Sequence, residues 1–289
     1  MALCGPQVFA KPHDLPVKGS LIGEPSVYIV QSGDYFQLIG ETYNVGFLSL
    51  ITANPGVDPL LPDPNTPLIL PTQMILPHAE PVGIVVNLPE LRLYYFDPNL
   101  PIVHVYPIGI GQMGNRTPVI RSFISQKREQ PDWVVPKSIR KRYFSEKNIQ
   151  LPAVVPAGPN NPLGNFALRL GHSEYLIHGT NQRFGIGLSV SSGCIRMFEQ
   201  DIEELFNRVA INTPVRIIDL PVKYTRTPDN NVYLEVHSAL EGSKQQLDLR
   251  QTLINLRQFV APLNVDESQI QRIFEASSGI PVLLKLQDK

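Results

Sequence analysis

The apolar positions change period along the chain, and each change predicts a different element. In VGIVVNLPELRLYYF, residues 82–96, two apolar runs flank Leu88-Pro89-Glu90, the pattern of a β-hairpin. IVHVYPIGIG and PVIRSFISQ predict further strands, and FALRLG (166–171) and EYLIHGT (174–180) two more, the last ending at His178. Ile202, Leu205, Phe206 and Val209 then recur at the spacing of an amphipathic helix, and VRIID (215–219) reads as a closing strand. Ahead of this β-rich block, VYIVQSGD predicts a strand and a helix start. Phe36, Leu38, Ile39 and Tyr43 mark one short helix, Phe47, Leu48, Leu50 and Ile51 a second ending at Asn54, and PLILPTQMILP a returning strand. Behind it, helix patterns lie near 247–260 and 266–277, the second bounded by Asp266 and Gly279.

The predicted architecture is mainly β with α. Residues 1–26 are expected as a leader remnant and linker, 27–77 as a small β-α-α-β module, 82–219 as the main β-rich domain and 220–289 as an α/β accessory subdomain in which no chemistry is visible. Val8-Phe9-Ala10 has the small −3 and −1 residues of a signal-peptidase site behind a very short apolar stretch. No apolar run approaches the roughly 18 residues of a membrane span.

Composition narrows the function. Of 28 prolines in 289 residues, 23 fall in 1–162, which excludes a helical bundle there because interior proline breaks helices. The balance of 25 basic against 26 acidic side chains argues against a nucleic-acid binder. One local excess stands out: residues 121–147 carry eight Lys or Arg and three acids, expected as a solvated loop face or as a guide for anionic peptides. Two cysteines, Cys4 and Cys194, cannot build a disulfide scaffold or a four-cysteine zinc module.

The chemistry concentrates in YLIHGTNQRFGIGLSVSSGCIRM, residues 175–197. A thiol attacks as thiolate, and a neighbouring imidazole both favours that form and carries the proton. His178 ends a strand and Cys194 follows sixteen residues later, preceded by Gly193, which allows a sharp turn at the nucleophile. The Gly193 and Cys194 N–H groups are candidates for an oxyanion hole, and Arg196 supplies a fork for a carboxylate. Alone, each residue has a bland explanation: a buried cysteine, a strand-end histidine, a surface cation. The combination at this spacing is more specific than its parts.

This segment resembles the L,D-transpeptidase (YkuD) catalytic domain, whose motif is a histidine followed at similar distance by Ser/Thr-His-Gly-Cys. The resemblance runs from about Val82 to Asp219 and includes GIVVNLPELRLYYF, YPIGIG, VVPAGPNNPLG, YLIHGT and SSGCIRM. It implies Cys194 as nucleophile, His178 as general base and acid, and the Gly179 carbonyl as the group that holds the imidazole's other nitrogen. Ser192 stands where many members carry a second histidine, and Arg196 would hold the donor peptide or shape the site. The implied reaction is acyl transfer from peptidoglycan tetrapeptide stems through a cysteine thioester, giving 3→3 cross-links or attaching an envelope lipoprotein. It needs no metal or organic cofactor, takes place in the periplasm and is sensitive to carbapenems. Residues 27–77, with YxVxxGD at their head and Asn54 after the second helix, resemble a LysM domain, which implies glycan binding; Tyr35 and the insert 55–67 depart from that pattern.

Three other readings compete. A cell-wall cysteine peptidase is disfavoured because papain-like enzymes place cysteine before histidine. A non-catalytic peptidoglycan-binding protein would be expected to have lost Cys194 or His178. A zinc site from His172, His178 and Cys194 lacks a fourth ligand and regular spacing.

Overall fold

The computed structural model describes residues 12–240 and 248–287. Cys4 and the Val8-Phe9-Ala10 sequence lie outside them. The principal sheet has nine strands in the spatial order His13–Asp14, Ile102–Pro107, Arg92–Phe96, Gly83–Asn87, Pro214–Ile218, Arg121–Glu129, Phe166–Leu170, Leu176–His178 and Ile195–Arg196. Neighbours are antiparallel except at two joints: Pro214–Ile218 runs parallel to Gly83–Asn87, and Leu176–His178 parallel to Ile195–Arg196. Arg121–Glu129 belongs to both halves. Arg121 to Phe123 pair with the closing strand, and Ile124 to Glu129 pair with Phe166–Leu170, with a register shift between Ile124 and Gln126. Such an irregularity bends a strand, so the halves face one another.

The space between them is the main core. Ile84, Val86 and Leu93 from one half meet Leu168, Leu170, Ile177 and Ile195 from the other, and the predicted amphipathic helix contributes Ile202, Leu205 and Phe206. The other face of the hairpin buries Val85, Tyr94 and Phe96 against Ile22, Met74 and Leu76. All five residues of Gly83–Asn87 are therefore buried, which explains its unbroken apolar run.

The N-terminal β-α-α-β order is present: strand Ser26–Ile29, helix α1 (Phe36–Tyr43), helix α2 (Phe47–Ala53) and strand Pro67–Leu70 surround Val30, Phe36, Ile39, Leu50 and Leu68. The Asn54 amide closes the unit, donating to the Leu50 and Ile69 carbonyls at 2.8 and 2.9 Å and accepting from Ile69 N–H at 2.7 Å. Three expectations need correction. Residues 12–26 carry two short strands: His13–Asp14 pairs with the edge of the main sheet and Leu21–Ile22 with Met74–Ile75, because Ile22 has a core to enter. PLILPTQMILP is divided at Pro71 into two strands with different partners. The basic stretch contains helix α3 (Lys137–Lys147), none of whose residues is buried. A helix that is polar all round shows no apolar periodicity to detect.

Helix α4 (Glu199–Arg208) leads into the closing strand. The tail forms a three-stranded antiparallel sheet, Val222–Arg226, Val232–Val236 and Val282–Leu283, covered by α5 (Leu249–Val260) and α6 (Glu267–Ala276). Asp266 caps α6 by accepting from the Ser268 and Gln269 N–H groups. Ser277, not Gly279, takes the left-handed position at its end; Gly279 (φ +68°) lies where a Cβ would stand 2.8 Å from the His237 ring. No helix of the described residues is long and apolar enough to cross a membrane.

Where this tail meets the hairpin, six polar side chains are buried together: Glu90, Arg92, Tyr94, Lys223, Glu235 and His237. Lys223 Nζ lies 2.8 Å from Glu90 and 2.9 Å from Glu235, Arg92 lies 3.3 and 3.5 Å from the same two, and His237 Nε2 is 2.7 Å from Glu235. Tyr94 donates to Glu90. The chain at 71–75 is fastened as well: Arg92 donates to the Pro71 carbonyl, Lys223 to the Ile75 carbonyl, and Ile75 N–H to Glu235. Burial pushes the Glu235 carboxyl up, but Lys223, His237 and Arg92 overcome it and hold it down to about 2. Glu90, Glu235 and His237 converge as metal ligands would, yet the Lys223 ammonium already supplies the cation between the carboxylates.

Candidate active site

Strand alternation assembles the site. Ile177 and Ile195 point into the core, so Leu176, His178 and Arg196 face the other side of the sheet, and Cys194 immediately precedes the strand that carries Arg196. The parallel pairing sets His178 opposite Arg196, and Met197 N–H donates to the His178 carbonyl at 2.9 Å.

His178 is buried, with Nδ1 2.6 Å from the Gly179 carbonyl oxygen. A carbonyl only accepts, so Nδ1 carries the hydrogen and Nε2 keeps its lone pair in the neutral ring. The Leu163 carbonyl also lies close enough to favour the protonated ring. Burial is the largest influence on the ring and Arg196 adds to it; the two carbonyls oppose them, and the imidazole is driven down to about 4. Cys194 is half-buried, its Sγ 4.0 Å from the Glu174 carbonyl. Burial pushes its thiol up, against the Leu176 N–H and the charges of Arg196 and Arg169, which favour thiolate. The resting pair is thus a thiol and a neutral base.

Gly193 has φ +109°, and a Cβ there would lie 2.9 Å from the Tyr175 ring, so both backbone and space require glycine. Its N–H donates to Ser191 Oγ at 3.1 Å, and its carbonyl accepts from Thr117 at 2.9 Å. That corrects the expectation that this N–H faces an oxyanion: the Ser191 hydroxyl, which also donates to the Cys194 carbonyl, has taken it. Ser192 Oγ accepts from Arg142 Nη2 of α3 at 2.7 Å, bringing the basic segment onto the site. Arg196 exchanges two 2.8 Å backbone hydrogen bonds with Gly109, and its buried Nε has no partner among the described residues. His172 is exposed and packs on Phe123; it does not converge with His178 and Cys194, so the zinc reading has no geometry behind it.

Two features escaped the sequence. Glu199, in the first turn of α4, accepts from the Asn165 N–H at 3.0 Å through Oε2, while its buried Oε1 packs against Gly179. It thereby braces the turn that follows Leu163 and abuts the residue whose carbonyl holds His178. A Cβ on Gly179 would stand 2.0 Å from Glu199 Oε1, which is why that position is glycine. An acid in a helix's first turn was the visible signal, with nothing to say what it would meet. The second feature is the seam with the N-terminal module. Gly187, between His178 and Cys194 in sequence, approaches Gly46 so closely that a Cβ on Gly187 would lie 2.2 Å from the Phe47 nitrogen. Gln37 donates to the Arg183 carbonyl at 3.1 Å, and Glu41 pairs with Arg183 at 2.9 Å.

The L,D-transpeptidase catalytic domain (YkuD) matches residues 81–217, and the L,D-transpeptidase C-terminal domain matches residues 221–284. The chain is 44% identical to the probable L,D-transpeptidase YcfS of Escherichia coli, over 93% of this chain and 86% of that protein. It is 42% identical to the probable L,D-transpeptidase ErfK/SrfK of Salmonella typhimurium, over 93% and 90%. Among solved structures, an Enterococcus faecium L,D-transpeptidase aligns with 53% of this chain and 56% of its own at 20% identity and a TM-score of 0.38. The chain belongs to the L,D-transpeptidase family, with its YkuD catalytic domain followed by its C-terminal domain.

Proposed function

We propose that this enzyme transfers the acyl group of a peptidoglycan tetrapeptide stem to an amine through a thioester on Cys194. The observation that carries the reading is the His178 imidazole, neutral and oriented by the Gly179 carbonyl so that Nε2 is its basic nitrogen, on the strand that pairs with the one Cys194 leads into. Nε2 accepts the thiol proton as sulfur attacks the carbonyl carbon of the third stem residue, diaminopimelate. The tetrahedral oxyanion collapses, the C–N bond to D-alanine breaks, and the imidazolium returns its proton to the leaving amine. An acceptor amine then attacks the thioester, His178 takes the amine's proton, and the departing thiolate recovers it. Arg196 contributes positive charge that favours the thiolate and the neutral imidazole together.

The acceptor is a primary amine: a diaminopimelate side chain, giving a 3→3 cross-link, or a lysine of an envelope lipoprotein. The periplasm is the compartment in which these substrates meet. The β-α-α-β unit over 27–77 serves as a LysM-like module that grips the glycan. Incubation with a disaccharide-tetrapeptide, followed by intact-mass spectrometry, tests the reading. A wild-type adduct lacking D-alanine, absent in Cys194→Ala, is expected, as is a carbapenem adduct with the same dependence. An adduct that survives Cys194→Ala overturns the assignment. Failure of residues 12–80 on the full chain to protect glycan strands from pulldown competition would overturn the module's role alone.

A further inference from the structure

The sheet face that carries the thiol continues beyond it. Ala167 is the register partner of His178 on one side and of Arg128 on the other; Arg169 pairs in the same way with Leu176 and Gln126. Leu168 and Leu170 point into the core, so Ala167 and Arg169 share the outer face with His178. Two hollows lie on this face and share Gln126, Arg128 and Arg169: one is lined by Leu163 and by Ala167 and Leu176, the strand neighbours of His178, and the other extends to His172. Arg169 is braced by Nε donating to Gln126 at 3.2 Å and Nη1 donating to the Ser173 carbonyl at 3.0 Å. Neither arginine is paired with a carboxylate among the described residues. The one acid lining the hollows, Asp132, accepts instead from the Ala157 N–H at 2.9 Å. Arg169 pairs with Leu176, on the strand that itself pairs with the one Cys194 leads into, so a ligand bound there lies alongside the segment that carries the thiol.

We propose that Arg128 and Arg169 form a subsite for a free carboxylate of the stem peptide that reacts at Cys194. Planar guanidinium forks suit carboxylates geometrically, and a concave site with unpaired cations concentrates anionic peptides. The inference takes the peptide's identity from the acyl-transfer reading, while the recognition chemistry comes from the hollows themselves.

Binding to the full-length Cys194→Ala protein tests it without catalysis. Titration calorimetry would compare a synthetic tetrapeptide stem with free carboxylates against the same peptide fully amidated. The free acid is expected to bind at least about tenfold tighter, the factor that roughly 1.4 kcal/mol represents. Adding Arg128→Gln or Arg169→Gln should remove most of that preference and leave the amidated peptide unchanged. Equal affinity for both peptides, or equal loss on both, overturns the subsite. A tripeptide arm separates donor from acceptor: loss with the tetrapeptide places the donor there, loss with the tripeptide alone the acceptor. Charge-selective binding without acyl transfer by the wild type would retain the subsite and overturn the transpeptidase reading; acyl transfer without charge selectivity would do the reverse.

Discussion

Two polar clusters in this molecule are both penalised by burial and end in opposite charge states. Around Glu90 and Glu235, Lys223 and Arg92 stand within 3.5 Å, and the carboxyls are held below their ordinary range. Around His178 and Cys194, the close partners are backbone groups: the Gly179 and Leu163 carbonyls and the Leu176 N–H. A carbonyl orients an imidazole without offering it a full counter-charge, so burial wins and the ring stays neutral. A carboxylate at the same place would have made an imidazolium, which cannot take a proton. The ionic cluster uses its charge to hold three chain segments together; the His178 and Cys194 side chains rest uncharged.

The sharpest way to separate the two clusters is to delete one functional atom from each. Cys194→Ala should abolish acyl-enzyme formation, a loss on the order of 10⁴-fold or more, while the thermal midpoint moves little. A large fall in stability would mean that the thiol is structural. Lys223→Met should do the opposite. It leaves two buried carboxylates short of a cation, and a denaturant titration should register a cost of about 3–5 kcal/mol with activity per folded molecule preserved. A cost below about 1 kcal/mol would show that the cluster is not holding the tail.

Next in size is Gly179→Ala, whose new methyl must displace Glu199 and with it the carbonyl on His178. Steady-state rates should fall about a hundredfold, and removing the clash in Gly179→Ala/Glu199→Ala should recover part of the loss. The last effect is in pH. His178 titrates at about 4 folded against 6.5 unfolded, so the unfolded chain binds more protons between those values and stability rises with pH there. The contribution is complete above pH 6.5 and declines toward pH 4, at up to roughly 1.4 kcal/mol per pH unit. Glu235, depressed from 4.5 to about 2, adds a separate loss as pH falls through that lower window. Chemical unfolding of wild type and His178→Gln across pH 4–7 should show a shallower upper slope in the variant, with the remainder coming from His13, which burial also depresses.

Much of the fold was legible because it is local. The longer strands between Gly83 and His178 announce themselves by apolar runs and helix α4 by the spacing of Ile202, Leu205 and Phe206, whereas the two-residue strands Trp133–Val134 and Val154–Val155 do not. The His178–Cys194 pair was legible because both residues sit in one short segment. What escaped depends on distance or on weak signals. Lys223 and Ile75 are separated by 148 positions, and Arg92 and Glu235 by 143, so no window contains the ionic cluster. Helix α3 has no buried face to give it a period, and His13–Asp14 is too short to have one. The Gly193 N–H was misjudged because the hydroxyl of Ser191, two residues away, competes for it.

The seam between Gly46 and Gly187 bears on how this protein can be cut and recombined. A Cβ on Gly187 would lie 2.2 Å from the Phe47 nitrogen and 2.7 Å from Gly46, whereas one on Gly46 would stand 3.2 Å from the Gly187 Cα. The constraint is therefore tighter on the loop: a methyl added to Gly187 must be answered by movement of the chain at 46–47. The N-terminal unit is accordingly not an exchangeable cartridge. Grafting a different one ahead of residue 81 leaves the loop that links the histidine to the cysteine without its backstop, even though every residue of that loop is unchanged.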